Sequence, residues 1–230
     1  YFFPAGIPLK EGSNKKNLPL AKTLTGIAKN GSDYLYKGPL AEKIVKTVNQ
    51  AEINPGQMSV EDFANYEAVK REAVCGEYRN KKVCGMAPPS SGGINVYQIL
   101  KLLEKFELGK LSPDSAEFAH LFSQASALTY ADREKYIADS DFTNLPYGAL
   151  INTAYLSRRS EHIGVDKSWH RAKAGQPYKE ARLNAGMSFE LPNTSHVSIV
   201  DKKGNALSMT TSIEFMFGSG LMVDGFLLNN

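Results

Sequence analysis

Apolar residues recur at helical spacing in several stretches of the chain. In NLPLAKTLTGIAKNG, Leu20, Leu24, Ile27 and Ala28 share one face, and Asn30-Gly31 supplies a stop. PLAEKIVKTVNQ repeats the pattern, with Pro39 at the first helical position and Leu40, Ile44, Val45 and Val48 on one side. After the turn NPGQMS, Ser59 and Asp62 stand in the capping-box relation at the head of a short helix. APPSSGG reads as a rigid-then-flexible loop opening a helix from about Ile94 to Glu107. The longest helical signal is SPDSAEFAHLFSQASALTYADREKYI. There Ser112 reads as the N-cap, Pro113 as the first helical residue, and Asp114 favours the positive end of the helix dipole. A further helix is expected from Gly148 to about Ser160. Between Val165 and Leu191 the chain is polar, rich in Lys, Gly and Pro, and without clear period. This predicts an exposed loop prone to disorder, with Trp169 as its one clear apolar anchor.

Two segments read as hairpins. In AVCGEYRNKKVCGM the turn falls at Arg79-Asn80, so that Tyr78 pairs with Lys81 and Cys75 faces Cys84. Facing Cβ atoms lie about 4.5–5.5 Å apart, which makes a cross-strand disulfide feasible. The alternative is two small, half-buried thiols that face each other unbridged. A bridge points to an oxidising compartment. In LPNTSHVSIVDKKGNALSMTTSI the strands are about Ser195–Asp201 and Ala206–Ile213, with Lys203-Gly204 in the turn. Helices, a small hairpin and a C-terminal β-segment together predict an α+β layered fold.

Composition narrows the partners. The chain has 230 residues, of which 42% are hydrophobic and 22% charged, enough for a sizeable core in one large domain or two small ones. The net charge of +3 comes without any dense Lys/Arg cluster, so no nucleic-acid surface is expected. The apolar runs are too short for a membrane span. No signal peptide is visible, and YFFPAGIPLKEG does not read as a natural start.

Most catalytic chemistries find no support. His120, His162, His170 and His196 form neither an HxxxH nor an HxH pair, so neither a metal site nor a cofactor is expected. A bridged cysteine pair disfavours a Cys-His protease. APPSSGGINV lacks the lysine of a phosphate-binding loop and reads as a structural turn. The remaining candidate is Thr194-Ser195-His196, delivered by a Pro-Asn corner at the start of a strand. A threonine hydroxyl is a poor nucleophile without a base. If Thr194 became N-terminal, its own α-amino group, with an ordinary pKa of about 8, could be that base. On local features alone, Thr194 reads as a capping or hydrogen-bonding hydroxyl.

Four stretches, in order, carry a wider resemblance: NLPLAKTLTGIAKNGSDYLYKGPLAEKIV, GEYRNKKVCGMAPPSSGGINVYQIL, YADREKYIADSDF, and NTSHVSIVDKKGNALSMTTSIEFMFGSG followed by GFLLNN. Together they resemble the γ-glutamyltranspeptidase family of N-terminal nucleophile hydrolases. The resemblance implies part of an αββα sandwich. Residues 1–193 would be the C-terminal part of a large-subunit region, and residues 194–230 the start of a small catalytic one. It implies self-cleavage at the Asn193–Thr194 bond, with Thr194 then the nucleophile, and Ser195 standing where a second threonine is common. Ser212 matches the family hydroxyl that hydrogen-bonds the nucleophile, and Glu214 the position that holds the substrate α-ammonium. A Lys203-Gly204 turn would place Thr194 opposite Ile213, so a bulge or a three-residue loop is needed to bring up Ser212. The plain readings are an edge-strand polar residue for Ser212 and a solvated charge for Glu214.

The implied donors are glutathione and other γ-glutamyl amides, with water or an amino acid as acceptor. The location implied is the periplasm or the cell exterior. The resemblance places the family's α-carboxylate-binding arginine before Tyr1, and the acidic pair after LLNN and the later Ser-Ser and Gly-Gly elements beyond Asn230. The chain therefore reads as a fragment that needs the remaining segments of the same enzyme for activity. Two other readings stand beside this one. The first is a related amide hydrolase, an acylase or polyglutamate-processing enzyme. The second is a non-cleaving homologue with a binding or structural role.

Overall fold

The computed structural model describes residues 1–143, 147–178 and 194–230. In chain order its first helices are α1 (Leu18–Asn30), α2 (Asp33–Tyr36), α3 (Pro39–Asn49) and α4 (Val60–Ala64). Strands β1 (Val74–Tyr78) and β2 (Lys81–Gly85) follow, then helices α5 (Gly92–Leu103), α6 (Ala116–Tyr136), α7 (Tyr147–Leu150) and α8 (Thr153–Ser160). The chain closes with β3 (Thr194–Val200), β4 (Ala206–Ser212), β5 (Met222–Val223) and β6 (Phe226–Leu227). Among the described residues the strands pair only as antiparallel couples, β1–β2, β3–β4 and β5–β6. This is the α+β mixture expected from the sequence. The chain packs as two compact units, Tyr1–Ala68 with Glu190–Asn230, and Val69–Phe189. The expected covalent division at residues 193 and 194 falls inside the first unit.

In the first unit, α1 is anchored through polar groups. The Asn17 side chain caps it by accepting from Leu20 N at 3.1 Å and donates to the Gly225 carbonyl at 2.7 Å. Gly225 sits at φ +93° in the β5–β6 turn, where a Cβ would lie 2.4 Å from Leu20 N, so both conformation and space require glycine. The expected apolar face of α1 is rotated in the structure. Leu24 is exposed, while Thr23 is buried and donates to the Asp224 carbonyl at 3.1 Å. The reason is that α1 meets backbone carbonyls of a tight turn there, and a hydroxyl satisfies them where leucine could not. Helix α3 follows the prediction more closely. Its Leu40 and Ile44 are buried with Val223 and Leu228, and Val48 packs against them. Ser59 and Asp62 form both halves of the capping box on α4.

The second unit begins with the cysteine hairpin. Arg79 and Asn80 both adopt left-handed φ, 46° and 61°, the requirement of a two-residue turn that matches strand twist. Tyr78 pairs with Lys81 and Cys75 with Cys84, and the two cysteines are joined by a disulfide. Counting back from the turn makes this a non-hydrogen-bonded pair, where facing side chains come closest. Helix α5 packs on the hairpin. A Cβ on Gly76 would fall 2.1 Å from the Tyr97 ring, whose hydroxyl donates to the Glu77 carbonyl. Ile94, Leu102 and Leu103 of α5 then join Leu121, Ala125 and Leu128 of α6, Tyr155 and Leu156 of α8, and Ile163 in one core.

Three boundaries differ from expectation. The cap of α6 is Ser115, which accepts from Phe118 N at 3.2 Å, and not Ser112. Ser112 instead opens a turn closed by Ser115 N on its carbonyl at 3.0 Å, because proline serves the second place of a turn as well as the first of a helix. The helix expected from Gly148 to Ser160 is broken. Asn152 leaves helical geometry and caps α8 by accepting from Tyr155 N at 3.1 Å. Helix α5 stops at Leu103, short of Glu107.

The stretch from Val165 is the largest departure. Up to Tyr178 it is irregular but strapped to the core, while residues 179–191 lie outside the described residues. Besides Trp169, Ala172, Ala174 and Tyr178 pack against the core. Asp132, buried on α6, accepts from Gly175 N at 2.7 Å, Tyr155 Oη at 2.5 Å and Arg159 Nη2 at 2.8 Å. Arg159 also donates to the carbonyls of Leu128 and Lys173, and Tyr136 to that of Gly175. Burial, reinforced by the negative Asp132, pushes the Tyr155 phenol well above its ordinary range, so it stays a donor. An irregular strand of backbone is held here by buried polar side chains, which hydrophobic periodicity does not register.

Candidate functional site

The β3–β4 hairpin turns on Asp201. Its side chain accepts from Lys203 N at 2.8 Å and from Asn205 N at 2.9 Å, and takes the Asn205 side-chain amide at 2.7 Å. These bonds, led by the Asn205 side chain, hold the Asp201 carboxyl below its ordinary pKa. Gly204 adopts φ +82°, and Asp201 N bonds the Asn205 carbonyl, so the loop is the three residues Lys202-Lys203-Gly204. That settles the register: Val200 faces Ala206 and Thr194 faces Ser212. A two-residue turn at Lys203-Gly204 would have paired Thr194 with Ile213.

Thr194, His196 and Ser198 therefore share one face with Ser212, Thr210 and Ser208. At the open end, Thr194 Oγ1 lies 3.1 Å from Ser212 Oγ. Ser212 Oγ also accepts from Glu214 N at 2.9 Å. Next along the face, His196 Nδ1 meets Thr210 Oγ1 at 2.8 Å, and its Nε2 meets Ser198 and Ser208 hydroxyls at 3.2 and 3.0 Å. The other face carries Val197, Ile199, Leu207 and Met209, all exposed.

Glu214 follows β4 at φ +65°, a left-handed conformation uncommon for a residue with a Cβ. The chain turns there. Phe215 N then donates to Asn230 Oδ1 at 2.9 Å, and Ser219 N to the Leu228 carbonyl at 3.0 Å. Gly218, at φ +53°, permits this fold-back, since a Cβ there would sit 1.9 Å from the Leu228 oxygen. The sharp turn leaves Glu214 half-buried, with no ion pair to its carboxylate among the described residues. A cleft of about 500 Å³ lies at this end, lined by Thr194, Ser212, Phe215 and Met216 among others.

The structure thus brings Thr194 and Ser212 together and attaches the Glu214 backbone to the same hydroxyl. Asn193 lies outside the described residues. Cys75 and Cys84 sit in the second unit as a structural staple. Sequence reasoning missed the imidazole held among three hydroxyls at His196, and the left-handed turn at Glu214. The first had a signal in the period-two spacing of Thr194, His196 and Ser198; the second had none. Among the described residues no group of three His, Cys, Asp or Glu side chains could hold a metal ion. No described helix is long and apolar enough to cross a membrane.

A strand-leading threonine hydroxyl thus meets a second hydroxyl across the ladder of a short antiparallel hairpin. The sequence matches the γ-glutamyltranspeptidase family over residues 1–230, and the chain belongs to that family. It is 39% identical to the glutathione hydrolase proenzyme of Escherichia coli K12, over all of this chain and 38% of that protein. It is 33% identical to the acylase ACY 1 proenzyme of Pseudomonas sp. SE83, over 96% of this chain and 37% of the other. In structure it resembles the γ-glutamyltranspeptidase of Helicobacter pylori, with a TM-score of 0.70 and 35% identity, covering 79% of this chain and 53% of that one. The chain spans about two fifths of the length of these curated relatives.

Proposed function

We propose that the protein transfers or hydrolyses γ-glutamyl groups through an ester on Thr194. The observation that carries this reading is the 3.1 Å contact between Thr194 Oγ1 and Ser212 Oγ at the head of the hairpin, in a chain of this family. In maturation the Thr194 hydroxyl adds to the Asn193 carbonyl carbon, and the Asn193–Thr194 amide becomes an ester. Water then hydrolyses the ester, leaving a carboxylate on Asn193 and a free α-amine on Thr194. In catalysis that amine takes the proton from Thr194 Oγ1 as the oxygen adds to the γ-carbonyl of glutathione or a similar amide. The proton passes to the departing amine. Water or an acceptor amino acid then attacks the γ-glutamyl ester and regenerates the hydroxyl.

Ser212 fixes the rotamer of the nucleophile, and its tie to Glu214 N couples that rotamer to the substrate-binding turn. The carboxylate of Glu214, in no ion pair among the described residues, suits the α-ammonium of a γ-glutamyl donor. An acyl substrate without that cation gains nothing from it, which favours γ-glutamyl substrates over the acylase reading. The exposed apolar face of the hairpin supports the expectation that further segments of the same enzyme complete the site. The disulfide supports an oxidising location, the periplasm or cell exterior.

The test is Thr194→Ala in the full-length protein, assayed on a γ-glutamyl anilide. Loss of both self-cleavage and anilide hydrolysis is expected. Hydrolysis by the Thr194→Ala protein would show that another group is the nucleophile.

A further inference from the structure

The second unit contains a cleft of about 750 Å³ between the C-terminal end of α8 and the irregular segment that follows it. Its lining includes Arg158, His162, Trp169, Arg171 and Lys173, and among the described residues no acidic side chain. Arg159 also lines it, but its charge is matched by buried Asp132 at 2.8 Å. Asp132 in turn is fully engaged by Gly175 N, Tyr155 and Arg159, and has no capacity left for a second cation. Arg158, Arg171 and Lys173 take part in no ion pair among the described residues. Three positive charges thus line one concavity with no compensating carboxylate among the described residues.

The cleft is also preformed. Its far wall is held to the floor by Arg159 Nη2 on the Lys173 carbonyl at 2.9 Å and by the Tyr136 hydroxyl on the Gly175 carbonyl at 2.6 Å. Gly175 packs so closely that a Cβ would lie 2.4 Å from the Tyr155 oxygen. Trp169 is fixed at one side by donating to the His162 carbonyl at 3.3 Å. A fixed concavity with a flat apolar wall and several convergent donors of one sign is the usual form of a small-ligand site. Two guanidinium groups add the fork geometry that pairs with oxyanions.

We propose that this cleft binds a small, multiply charged oxyanion ligand, a polycarboxylate or a phosphate-bearing compound. The site is independent of the hairpin chemistry and of the reading placed on it. The test uses the full-length protein, titrated separately with citrate and with pyrophosphate while the fluorescence of Trp169 is followed against a Trp169→Phe control. A saturable change with at least one anion is expected, weaker in high salt, and the anion that acts identifies the oxyanion class. The double variant Arg171→Glu/Lys173→Glu weakens binding about tenfold or more, as does Arg158→Glu on the helix side. No saturable change with either anion overturns the proposal. Unchanged affinity in both charge-reversal variants overturns it as well.

Discussion

Thr194 Oγ1 and Ser212 Oγ lie 3.1 Å apart because the hairpin loop has three residues, so an aspartate at its far end sets the geometry of a hydroxyl pair at its near end. If that pair holds the nucleophile, Ser212→Ala lowers kcat of the full-length enzyme by about ten- to a hundredfold, with a smaller change in KM. Ser212→Thr restores most of the loss. Steady-state kinetics on a γ-glutamyl anilide provide the check; equal kcat in parent and Ser212→Ala proteins contradicts the positioning role.

Glu214 separates backbone from charge. Its φ of +65° is better tolerated by asparagine or glycine, so those replacements do not strain the turn. Glu214→Gln keeps the side-chain shape and removes the charge. We expect KM for γ-glutamyl donors to rise about tenfold or more with kcat less affected, consistent with loss of a charge-assisted contact. An unchanged KM assigns Glu214 to the turn alone.

The Asp201 carboxyl titrates below its ordinary range because it accepts from Asn205 and Lys203 in the folded loop. Its contribution to hairpin stability is therefore fully present above the unfolded-state pKa, about 4. It is lost as pH falls through the lower folded value. Amide exchange at Lys203 and Asn205 should accelerate below that pH in the parent. In Asp201→Asn the exchange is faster already at neutral pH and less pH-dependent.

The disulfide closes a short loop, and chain-entropy arguments give it about 2–3 kcal/mol. Cys75→Ser/Cys84→Ser therefore lowers the melting temperature of the second unit. Reductant produces the same shift in the parent and none in the variant.

Breaking the Asp132–Arg159 pair is more costly, because both side chains are buried and Asp132 also binds Gly175 N. Asp132→Asn destabilises the unit by about 3–5 kcal/mol, since it leaves a buried guanidinium unpaired. Arg159→Met added to it recovers part of the loss. Chemical denaturation of the single and double variants measures both.

Much of this arrangement was legible in the residues. The cysteine register followed from one turn dipeptide, since period-two geometry transmits a turn assignment along the ladder without error. The helices α3 and α4 followed from Pro39, the Leu40/Ile44 face and the Ser59–Asp62 box. What was not legible depended on tertiary polar contacts. Thr23 replaces Leu24 at the buried face of α1 because a distant turn presents carbonyls there. The segment from Val165 to Tyr178 is held by Asp132, from a helix far back in sequence, and by Arg159, on the helix just before it. At the site itself, Thr194 and Ser212 could be named, but a two-residue and a three-residue loop were both open. The capping role of Asp201 decides between them.

In the proposed maturation Thr194 becomes a chain terminus. Mass spectrometry and N-terminal sequencing of the full-length protein, parent and Thr194→Ala, test it directly. The expected result is a chain beginning at Thr194 in the parent and only an uncut chain in the variant. An active parent that never yields a Thr194-initiated chain contradicts it.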